Sequence, residues 1–274
     1  MKKTLFKAFG ILSLGAMSKA LFDTNIIKVE KIQFKTEKLT EKAELRIMQI
    51  SDFHNQKSRC QHKKVINKVE VLRPDIIVLT GDLIDRRTRN FRSVLAFVDA
   101  LISIGIPIYF VSGNHEWNNP KRHRFLARLS KRKIRILSNN HVELNSKNEY
   151  INLAGIEDAA TEHENIEMTF SNMKVENYTI LLSHSPYVIN KYPDMQADLV
   201  ISGHTHGGQI RLPFIGAAVS PGEGFFPKLD KGIFKWGKGQ HLYVDSGVGT
   251  TRLPIRFLNQ SQMTFIQISG TARD

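Results

Sequence analysis

The sequence predicts an α/β fold organised on a parallel β-sheet, and three observations support this prediction. Residues 76–79 (Ile-Ile-Val-Leu), 108–111 and 199–201 are continuous apolar runs, which are typical of strands buried on both faces. Segments with apolar side chains at helical spacing separate the early runs. Most runs end at a Gly or Ser followed by polar side chains, as expected where parallel strands deliver their loops to one sheet edge.

The first third of the chain alternates strands with helices. Residues 26–34 alternate apolar and polar side chains, which favours a half-buried strand, and residues 45–50 form a second strand. Residues 62–72 predict a helix that Pro74 closes, and residues 91–101 predict a second helix with one apolar face. This order, continued by the run at 108–111, argues for a parallel sheet covered on both faces.

The remaining chain is dominated by short strands. The segment 213–239 is rich in Gly, Pro and aromatic residues and is predicted to form a long ordered loop. Because neither an internal repeat nor a low-complexity linker interrupts the sequence, residues 26–274 are predicted to form a single domain. The further strands are predicted at residues 134–137, 142–144, 150–155, 178–182, 241–244 and 263–266.

Composition indicates a globular protein that meets anionic partners. The chain has 274 residues, of which 41% are hydrophobic and 24% charged, so disorder and a multi-pass membrane architecture are disfavoured. The net charge of +13 indicates substrate phosphates, nucleic acid, an acidic lipid surface or a wall polymer as partners. The single cysteine, Cys60, allows neither an internal disulfide nor a thiolate metal site.

The first 25 residues have the pattern of a targeting segment. Lys2 and Lys3 precede a short apolar stretch at 8–17, and residues 18–20 (Ser-Lys-Ala) have the small-x-small pattern of a cleavage site. The stretch is too short to span a bilayer comfortably. An uncleaved anchor at the membrane surface and a helix packed on the domain are the alternatives. We therefore place residues 1–25 outside the fold, as a signal-like or membrane-anchor segment.

Residues 121–135 form a dense basic segment with interleaved apolar side chains. The spacing predicts an amphipathic helix whose polar face is almost entirely Lys and Arg. A solvated helix face is the ordinary interpretation of such a run. A surface that faces an anion stays open as the alternative, because no acidic residue lies within the run.

Potential metal ligands directly follow five strand-like runs. The most concentrated stretch is 201–208 (Ile-Ser-Gly-His-Thr-His-Gly-Gly), which places two imidazoles on one loop. Carboxylate, amide and imidazole ligands together suit Zn, Mn and Fe. Seven such residues exceed the needs of one tetrahedral ion and fit two ions that share a carboxylate. The seven residues at the five strand ends are Asp52 and His54, Asp82, Asn114, His184, and His204 with His206, and His115 directly follows Asn114.

Each residue also has a structural interpretation when taken alone. Asp52 and Asp82 could cap helices, Asn114 could lie in a turn, and His184 could be a core histidine. Their recurrence at five strand ends instead favours one shared site. Two ions about 3.5–4 Å apart lower the pKa of a bridging water and stabilise an in-line displacement at phosphorus.

The polar blocks together resemble the calcineurin-like metallophosphoesterase superfamily across about residues 45–250. The segment 207–213 is similar to the membrane-associated bacterial phosphodiesterases of the YaeI and YkuE kind. The resemblance implies a four-layer αββα sandwich of two mixed β-sheets flanked by helices. Phe53 and Glu116 stand where Leu and Asp are commoner, and neither replaces a ligand. The matching blocks are Asp52-Phe53-His54, Gly81-Asp82, Gly113-Asn114-His115-Glu116, His184 and Gly203-His204-Thr205-His206.

The resemblance also implies a binuclear centre and its supporting residues. His115 would serve as the general acid for the leaving oxygen, and Glu116 would support loop or ligand geometry. Asp158 and Arg211 are further candidates for supporting the site or contacting the substrate. The centre would hold two divalent ions that share a carboxylate: Asp52, His54 and His206 around the first ion, Asn114, His184 and His204 around the second, and Asp82 between them.

We therefore expect a binuclear metal-dependent phosphoesterase in which a metal-bridging hydroxide attacks a phosphodiester or pyrophosphate bond. The ions would be Mn, Zn, Fe or Mg, and basic residues from 86–92 or 121–135 would offset charge on the phosphate. The N-terminal segment, the basic flank and the loop with Phe225 and Phe226 suggest a lipid-linked or polymeric substrate. The protein would then be membrane-associated or exported, and the cytoplasmic face of the membrane stays open.

Two other functions use the same features. A metal-dependent nuclease would use the same site and a basic surface, but no segment resembles a nucleic-acid-binding module, so nucleic acid is disfavoured as a partner. A non-catalytic binder of anionic surfaces would be expected to have lost ligands, and all seven residues and His115 are present. The oligomeric state and the preference for monoesters or diesters stay undetermined by the sequence.

Overall fold

A computed structural model of the chain describes residues 2–56, 58–146, 148–220, 224–251 and 254–271. The helices, in chain order, are α1 (Lys2–Asn25), α2 (Arg59–Leu72), α3 (Arg92–Ile102), α4 (Asn114–Trp117), α5 (Arg122–Ser130), α6 (Ile166–Phe170) and α7 (Val188–Lys191). The strands are β1 (Lys28–Thr36), β2 (Glu44–Ile50), β3 (Ile76–Thr80), β4 (Ile108–Val111), β5 (Arg135–Ile136), β6 (Asn140–Ser146), β7 (Glu149–Gly155), β8 (Tyr178–Leu182), β9 (Leu199–Ser202), β10 (Ile210–Leu212), β11 (Gly216–Ser220), β12 (Gly224–Phe225), β13 (Gly232–Trp236), β14 (Gln240–Val244) and β15 (Gln262–Gly270).

Two six-stranded mixed sheets carry the architecture. The first has the order β1-β15-β2-β3-β4-β5, and its strands β2 to β5 are parallel, as the apolar runs predicted. The second has the order β13-β14-β9-β8-β7-β6, with antiparallel strands at both edges. The C-terminal strand β15 lies between β1 and β2, parallel to the former and antiparallel to the latter.

Three apolar layers confirm the predicted four-layer sandwich. One layer packs the helices α2, α3 and α5 on the outer face of the first sheet, with Phe97 and Phe125 fully buried. A second lies between the sheets, where Ile47 and Val78 face Ile180 and Ile201. A third covers the outer face of the second sheet and includes residues of α7. One face of the first sheet therefore packs against helices, and its other face packs against the second sheet.

Two predicted segments differ from the structure. The basic segment 121–135 is helical only over Arg122–Ser130 before turns lead into β5, and Lys133 there takes a left-handed φ of 61°. The segment 213–239 is not one loop, because it contains β11, β12 and β13; its residues 221–223 lie outside the described residues. Glycines at its turns explain the mistake, since they dominate the composition without disrupting the short strands.

The helix α1 contacts the domain at its C-terminal end. The backbone carbonyl of Asp23 accepts a hydrogen bond from the backbone N–H of Ser261, and Thr24 Oγ1 accepts one from the backbone N–H of Arg256. Further back along the helix, apolar side chains such as Phe9 and Leu12 are exposed. None of the helices in the described residues is long and apolar enough to cross a membrane. The side chains of Lys2 and Lys3 lie outside the described part of the chain.

The carboxyl ends of β2, β3 and β4 in the first sheet and of β8 and β9 in the second meet at one edge of the sandwich. All five strands are buried along most of their length, so their backbones are held rigidly by neighbouring strands. The loops that follow them carry the predicted ligands. The sheet stacking thus brings together residues that lie more than 150 positions apart in sequence, such as Asp52 and His206.

Candidate metal centre

The loops at this edge hold several predicted ligands in an unusual backbone conformation. Asp52, His54, Asp82, His204 and His206 all have positive φ angles between 49° and 74°. Residues other than glycine adopt this region rarely, and it costs about 1 kcal/mol or more per residue. The surrounding strands stabilise these turns, which direct the side chains into a common space.

The first cluster joins Asp52, His54 and His206. The Nε2 atoms of the two imidazoles lie 3.1 Å apart, and Asp52 Oδ1 lies 3.4 Å from His206 Nε2 and 3.9 Å from His54 Nε2. Asp52 Oδ1 is buried and has no hydrogen-bond partner among the described residues. The Nε2 atoms of both imidazoles and Oδ1 of Asp52 therefore converge on one small buried space.

The second cluster joins Asn114, His184 and His204. Asn114 Oδ1, His184 Nε2 and His204 Nδ1 lie 3.2 Å from one another. Asp82 connects the clusters, since its Oδ2 lies 3.3 Å from His184 Nε2 and 3.9 Å from His54 Nε2. The structure thus brings all seven predicted ligands into two adjacent groups with Asp82 between them.

Burial and mutual charge set the protonation of these groups. Burial lowers the pKa of His54 to about 4 and that of His206 well below its usual value. Burial would lower the pKa of His184 as well, but the carboxylate of Asp82 raises it well above the usual value. Conversely, although burial would raise the pKa of Asp82, the charge of His184 lowers it well below the usual value.

This donor set fits two divalent cations. Neutral imidazoles and ionised carboxylates are the forms that bind metals, and His54, His206 and Asp82 have these forms at neutral pH. The converging nitrogen and oxygen atoms are buried and cannot all satisfy one another by hydrogen bonds. Nitrogen and oxygen ligands without thiolate suit Zn, Mn or Fe.

Buried groups behind the ligands fix their orientation. The Nδ1 atom of His184 lies 2.8 Å from the carbonyl oxygen of Thr80, which can only accept, so Nδ1 donates and Nε2 faces the centre. The carboxylate of Glu116 accepts hydrogen bonds from the backbone N–H groups of Asp82, Ile84 and Gly113. Burial raises the pKa of Glu116 to about 8. Glu116 therefore ties the loops that follow β3 and β4 together, and its supporting role stays a prediction.

His115 lies beside the clusters and contacts Arg86, from the predicted basic stretch 86–92, and Asp85, which the sequence did not single out. Its Nδ1 lies 3.1 Å from Asp85 Oδ2 and 3.3 Å from the backbone nitrogen of Arg86, and its Nε2 lies 3.2 Å from an Arg86 guanidinium nitrogen. The two Arg86 nitrogens can only donate to the ring, and Asp85 Oδ2 is the acceptor that lies beside Nδ1. The sequence signal available for Asp85 was its place in the loop after Asp82.

Arg256 is a second residue that the sequence reasoning missed. Its side chain is fully buried and donates to the backbone carbonyls of His206, Ser246, Gly247 and Gly249. These bonds hold the loop of His206 against the segment after β14. No local sequence pattern marks Arg256, because its carbonyl partners come from distant loops.

Asp158 and Arg211 take different places. Asp158 is fully buried close to the second cluster; burial raises its pKa, and the charges of His184 and His204 oppose this effect. Arg211 donates to Asp230 Oδ2, 2.6 Å away, and to the carbonyl oxygen of Gly207, 2.7 Å away. Arg211 thereby supports the loop that follows His206.

Comparisons with known proteins agree with the resemblance. The family model described as calcineurin-like phosphoesterase matches residues 45–208, more than half of the chain. An uncharacterized metallophosphoesterase of Aquifex aeolicus is 32% identical over 266 residues, covering 94% of this chain and 97% of that protein. The uncharacterized metallophosphoesterase YkuE of Bacillus subtilis is 31% identical over 212 residues, covering 76% and 73% respectively.

A solved structure shares the fold. The crystal structure of TT1561 of Thermus thermophilus matches with a TM-score of 0.50 at 14% identity, covering 74% of this chain and 89% of that chain. At this identity the match supports the arrangement of sheets and helices alone. The evidence for chemistry comes from the residues at the sheet edge and from the family match.

Proposed function

This chain belongs to the calcineurin-like phosphoesterase family and is a hydrolase of phosphoric ester bonds, and from that premise we propose a more specific function. We propose that it cleaves a phosphodiester or pyrophosphate bond at a two-metal centre, and that its substrate is associated with the membrane or envelope. Divalent ions at such a centre supply a water activated at neutral pH and offset the charge that develops at phosphorus. The protein contributes the ligands, the acid for the leaving oxygen and the surface that selects the substrate.

The position of Asp82 is the observation that carries the two-metal proposal. Its Oδ2 faces both His54 and His184, and its Oδ1 accepts a hydrogen bond from the backbone N–H of His115 at 2.9 Å. One carboxylate is thus positioned to be shared by both ions and is tied to the general acid. Asp52, His54 and His206 would complete the first ion's ligands, and Asn114, His184 and His204 the second's.

His115 is positioned to act on the leaving oxygen. Its Nε2 lies 3.9 Å from Asp82 Oδ2, at the boundary between the two clusters, while Asp85 holds its Nδ1. A phosphate group bound at the clusters would displace the Arg86 guanidinium from Nε2 and place an oxygen there. Once protonated on Nε2, His115 would donate that proton to the oxygen that leaves.

Two exposed apolar elements support a membrane surface as the location of the substrate. Strands β10, β11 and β12 form a third, antiparallel sheet, which with its turns exposes Phe214 completely and Phe225 by 78%. The helix α1 exposes most of its described apolar side chains. Both elements contact the segment 255–261, since Ile210 forms a bridge with Phe257 and Thr24 accepts from the Arg256 backbone. Exposed apolar patches of this kind mark interaction surfaces, and basic residues nearby suit anionic headgroups.

The same sheet packs directly against the metal loop. Ser220 Oγ donates to the carbonyl oxygen of Thr205, and a Cβ at Gly208 would lie 2.0 Å from Ala217 Cβ. A substrate with an apolar tail lodged at this surface would therefore lie next to His204 and His206. This contact supports an amphiphilic substrate rather than a freely diffusing one.

The enzymatic proposal is tested by hydrolysis of bis(p-nitrophenyl) phosphate and p-nitrophenyl phosphate. Metal-stripped protein would receive Mn, Zn, Fe or Mg, beside an Asp82→Asn variant and an oligothymidylate substrate. We expect metal-dependent hydrolysis of the diester that is lost in the variant. Absence of turnover with every metal would contradict the proposal, and faster cleavage of the oligonucleotide would instead indicate a nuclease.

The membrane proposal is tested by sedimentation of the full chain with phosphatidylglycerol vesicles. A Phe214→Ser/Phe225→Ser variant should lose most of its vesicle binding at moderate salt. A Val71→Ser/Val175→Ser variant is the matched control, because those valines are exposed on other parts of the surface. Equal binding by both variants would show that the apolar sheet does not meet the membrane.

A further inference from the structure

A cleft adjoins the metal centre on the side of His115. It has a volume of about 740 Å³, and its lining includes His54 from the first cluster and Asp85, the partner of His115. Four arginines, Arg59, Arg87, Arg89 and Arg92, are also part of its lining. The cleft is therefore continuous with the site where phosphorus would react.

The charge of these arginines is not compensated within the protein. None of the four guanidinium groups forms an ion pair or a hydrogen bond with another side chain or carbonyl in the part of the chain that the structure describes. Arginines elsewhere on the surface do form pairs, such as Arg46 with Asp75 and Arg132 with Asp99. The acidic side chain that lines the cleft, Asp85, is directed to His115.

The helix ends at this cleft increase the positive potential. Arg59 and Arg92 are the first residues of α2 and α3, and neither helix has an acidic residue in its first turn. The N-terminus of a helix is the positive end of its dipole, where acidic side chains are normally favourable. An anion bound between these helix ends would relieve repulsion that the free protein retains.

We propose that the cleft binds an anionic group carried by the leaving half of the substrate, so that the substrate class is a phosphoanhydride or an ester with a second phosphate. This inference rests on the proposed function and names the substrate of the same site. His115 would protonate the leaving oxygen, so the leaving group would depart on the side of His115. Asp85, which contacts His115, lines the cleft. The leaving group would therefore lie among the arginines of the cleft. Water adds to phosphorus, the bond from phosphorus to the leaving oxygen breaks, and the His115 proton passes to that oxygen.

The test measures binding rather than turnover, so that it can fail independently of the enzymatic proposal. Methylphosphonate and methylenediphosphonate would be titrated calorimetrically into the Mn²⁺-loaded full chain at a fixed free Mn²⁺ concentration. The diphosphonate carries a second anionic group at the spacing of a phosphoanhydride. We expect it to bind the wild type at least tenfold more tightly than the monophosphonate.

The arginines are examined through the ratio of the two dissociation constants. An Arg87→Gln/Arg92→Gln variant should lose at least tenfold of the diphosphonate preference. An Arg46→Gln/Arg132→Gln variant removes the same total charge from distant, paired positions and should keep the preference. The Arg87→Lys/Arg92→Lys variant retains the positive charge and should keep part of the diphosphonate preference. This result would distinguish the loss of charge from a disturbance of the fold.

Three results would overturn the inference. The first is an unchanged preference in the Arg87→Gln/Arg92→Gln variant, which would place the second anionic group at the metal ions alone. The second is an equal loss in both glutamine variants, which would indicate only the long-range field of the protein. The third is tighter binding of oligothymidylate through the same arginines, which would assign the cleft to nucleic acid.

Discussion

His115 and Asp85 form a close pair in which Nδ1 of the imidazole lies 3.1 Å from Oδ2 of the carboxylate. The pair sets the ring orientation so that Nε2 faces the boundary between the two metal clusters. A carboxylate that orients a catalytic imidazole in this way acts on the leaving group only through that ring. Substitution of either residue should therefore lower kcat with the same dependence on the leaving group, and the loss should be smaller for Asp85.

The first prediction concerns this pair. His115→Ala should lower kcat by roughly 10²- to 10⁴-fold, because a general acid contributes about that much, while the metal content stays at the wild-type value. Asp85→Asn should lower kcat by a smaller factor. The measurement is kcat for aryl phosphodiesters whose leaving phenols differ in pKa. A loss that does not grow as the leaving group becomes poorer would contradict the acid role.

The second prediction concerns the buried guanidinium of Arg256. Arg256→Met should reduce the free energy of unfolding by more than about 3 kcal/mol, since several buried carbonyls lose their donor at about 1–3 kcal/mol each. It should also weaken metal binding, because the carbonyl of His206 is among those acceptors. Urea denaturation and metal titration measure the two effects.

Arg132→Met is the control for that substitution. Arg132 forms a surface ion pair with Asp99, and such pairs contribute about 1 kcal/mol or less. Its loss should leave metal affinity unchanged. If both substitutions destabilised the protein equally, Arg256 would have no special structural role.

The third prediction concerns the space at Gly203. A Cβ there would lie 2.0 Å from Ser51 Oγ and 2.5 Å from Asp52 Oδ2, so the side chain of Asp52 would have to move. Gly203→Ala should weaken metal binding by roughly 10- to 100-fold, as expected when the groups that orient a ligand are disturbed. Gly10→Ala, where no atom lies within 4 Å of the added carbon, should bind metal normally. Metal titration would compare the two variants, and equal affinities would show that the loop relaxes freely.

The fourth prediction is a pH dependence of stability that originates at Asp245. Burial raises the pKa of this carboxyl to about 6 from an ordinary value of 3.8. The folded protein therefore binds its proton more tightly than the unfolded chain, and the cost of burying the charge is present above pH 6. That cost is relieved as the pH falls from about 6 to about 4 and amounts to about 3 kcal/mol.

Asp245→Asn removes this titration. The stability of the variant relative to the wild type should become more favourable by up to about 3 kcal/mol between pH 4 and pH 7.5. The hydrogen bonds from Gln262 and Thr264 lower the pKa of Asp245, so the raised pKa already includes their contribution. Urea denaturation across this pH range measures the difference in unfolding free energy between variant and wild type. A difference that stays constant with pH would show that Asp245 is not the source of the pH dependence.

The sequence by itself determined the strands that carry the site, the ligand types and their order. Buried strands are short apolar runs, and the residues that follow them must turn sharply, so Asp52, Asp82 and His184 are recognisable locally. The two-sheet sandwich followed from the resemblance that these strand ends carry, and the structure confirms it. The roles assigned to the ligands stay predictions until metal binding is measured.

Only the tertiary structure decided how distant segments meet. The insertion of β15 between β1 and β2, the burial of Arg256 beneath His206 and the gathering of Arg59 with Arg87 and Arg92 all depend on contacts between remote residues. Local propensity has no information about such contacts, because an arginine has the same intrinsic preferences on a solvated helix and beside a cleft. Packing of the two sheets supplies that information by fixing which loops share an edge.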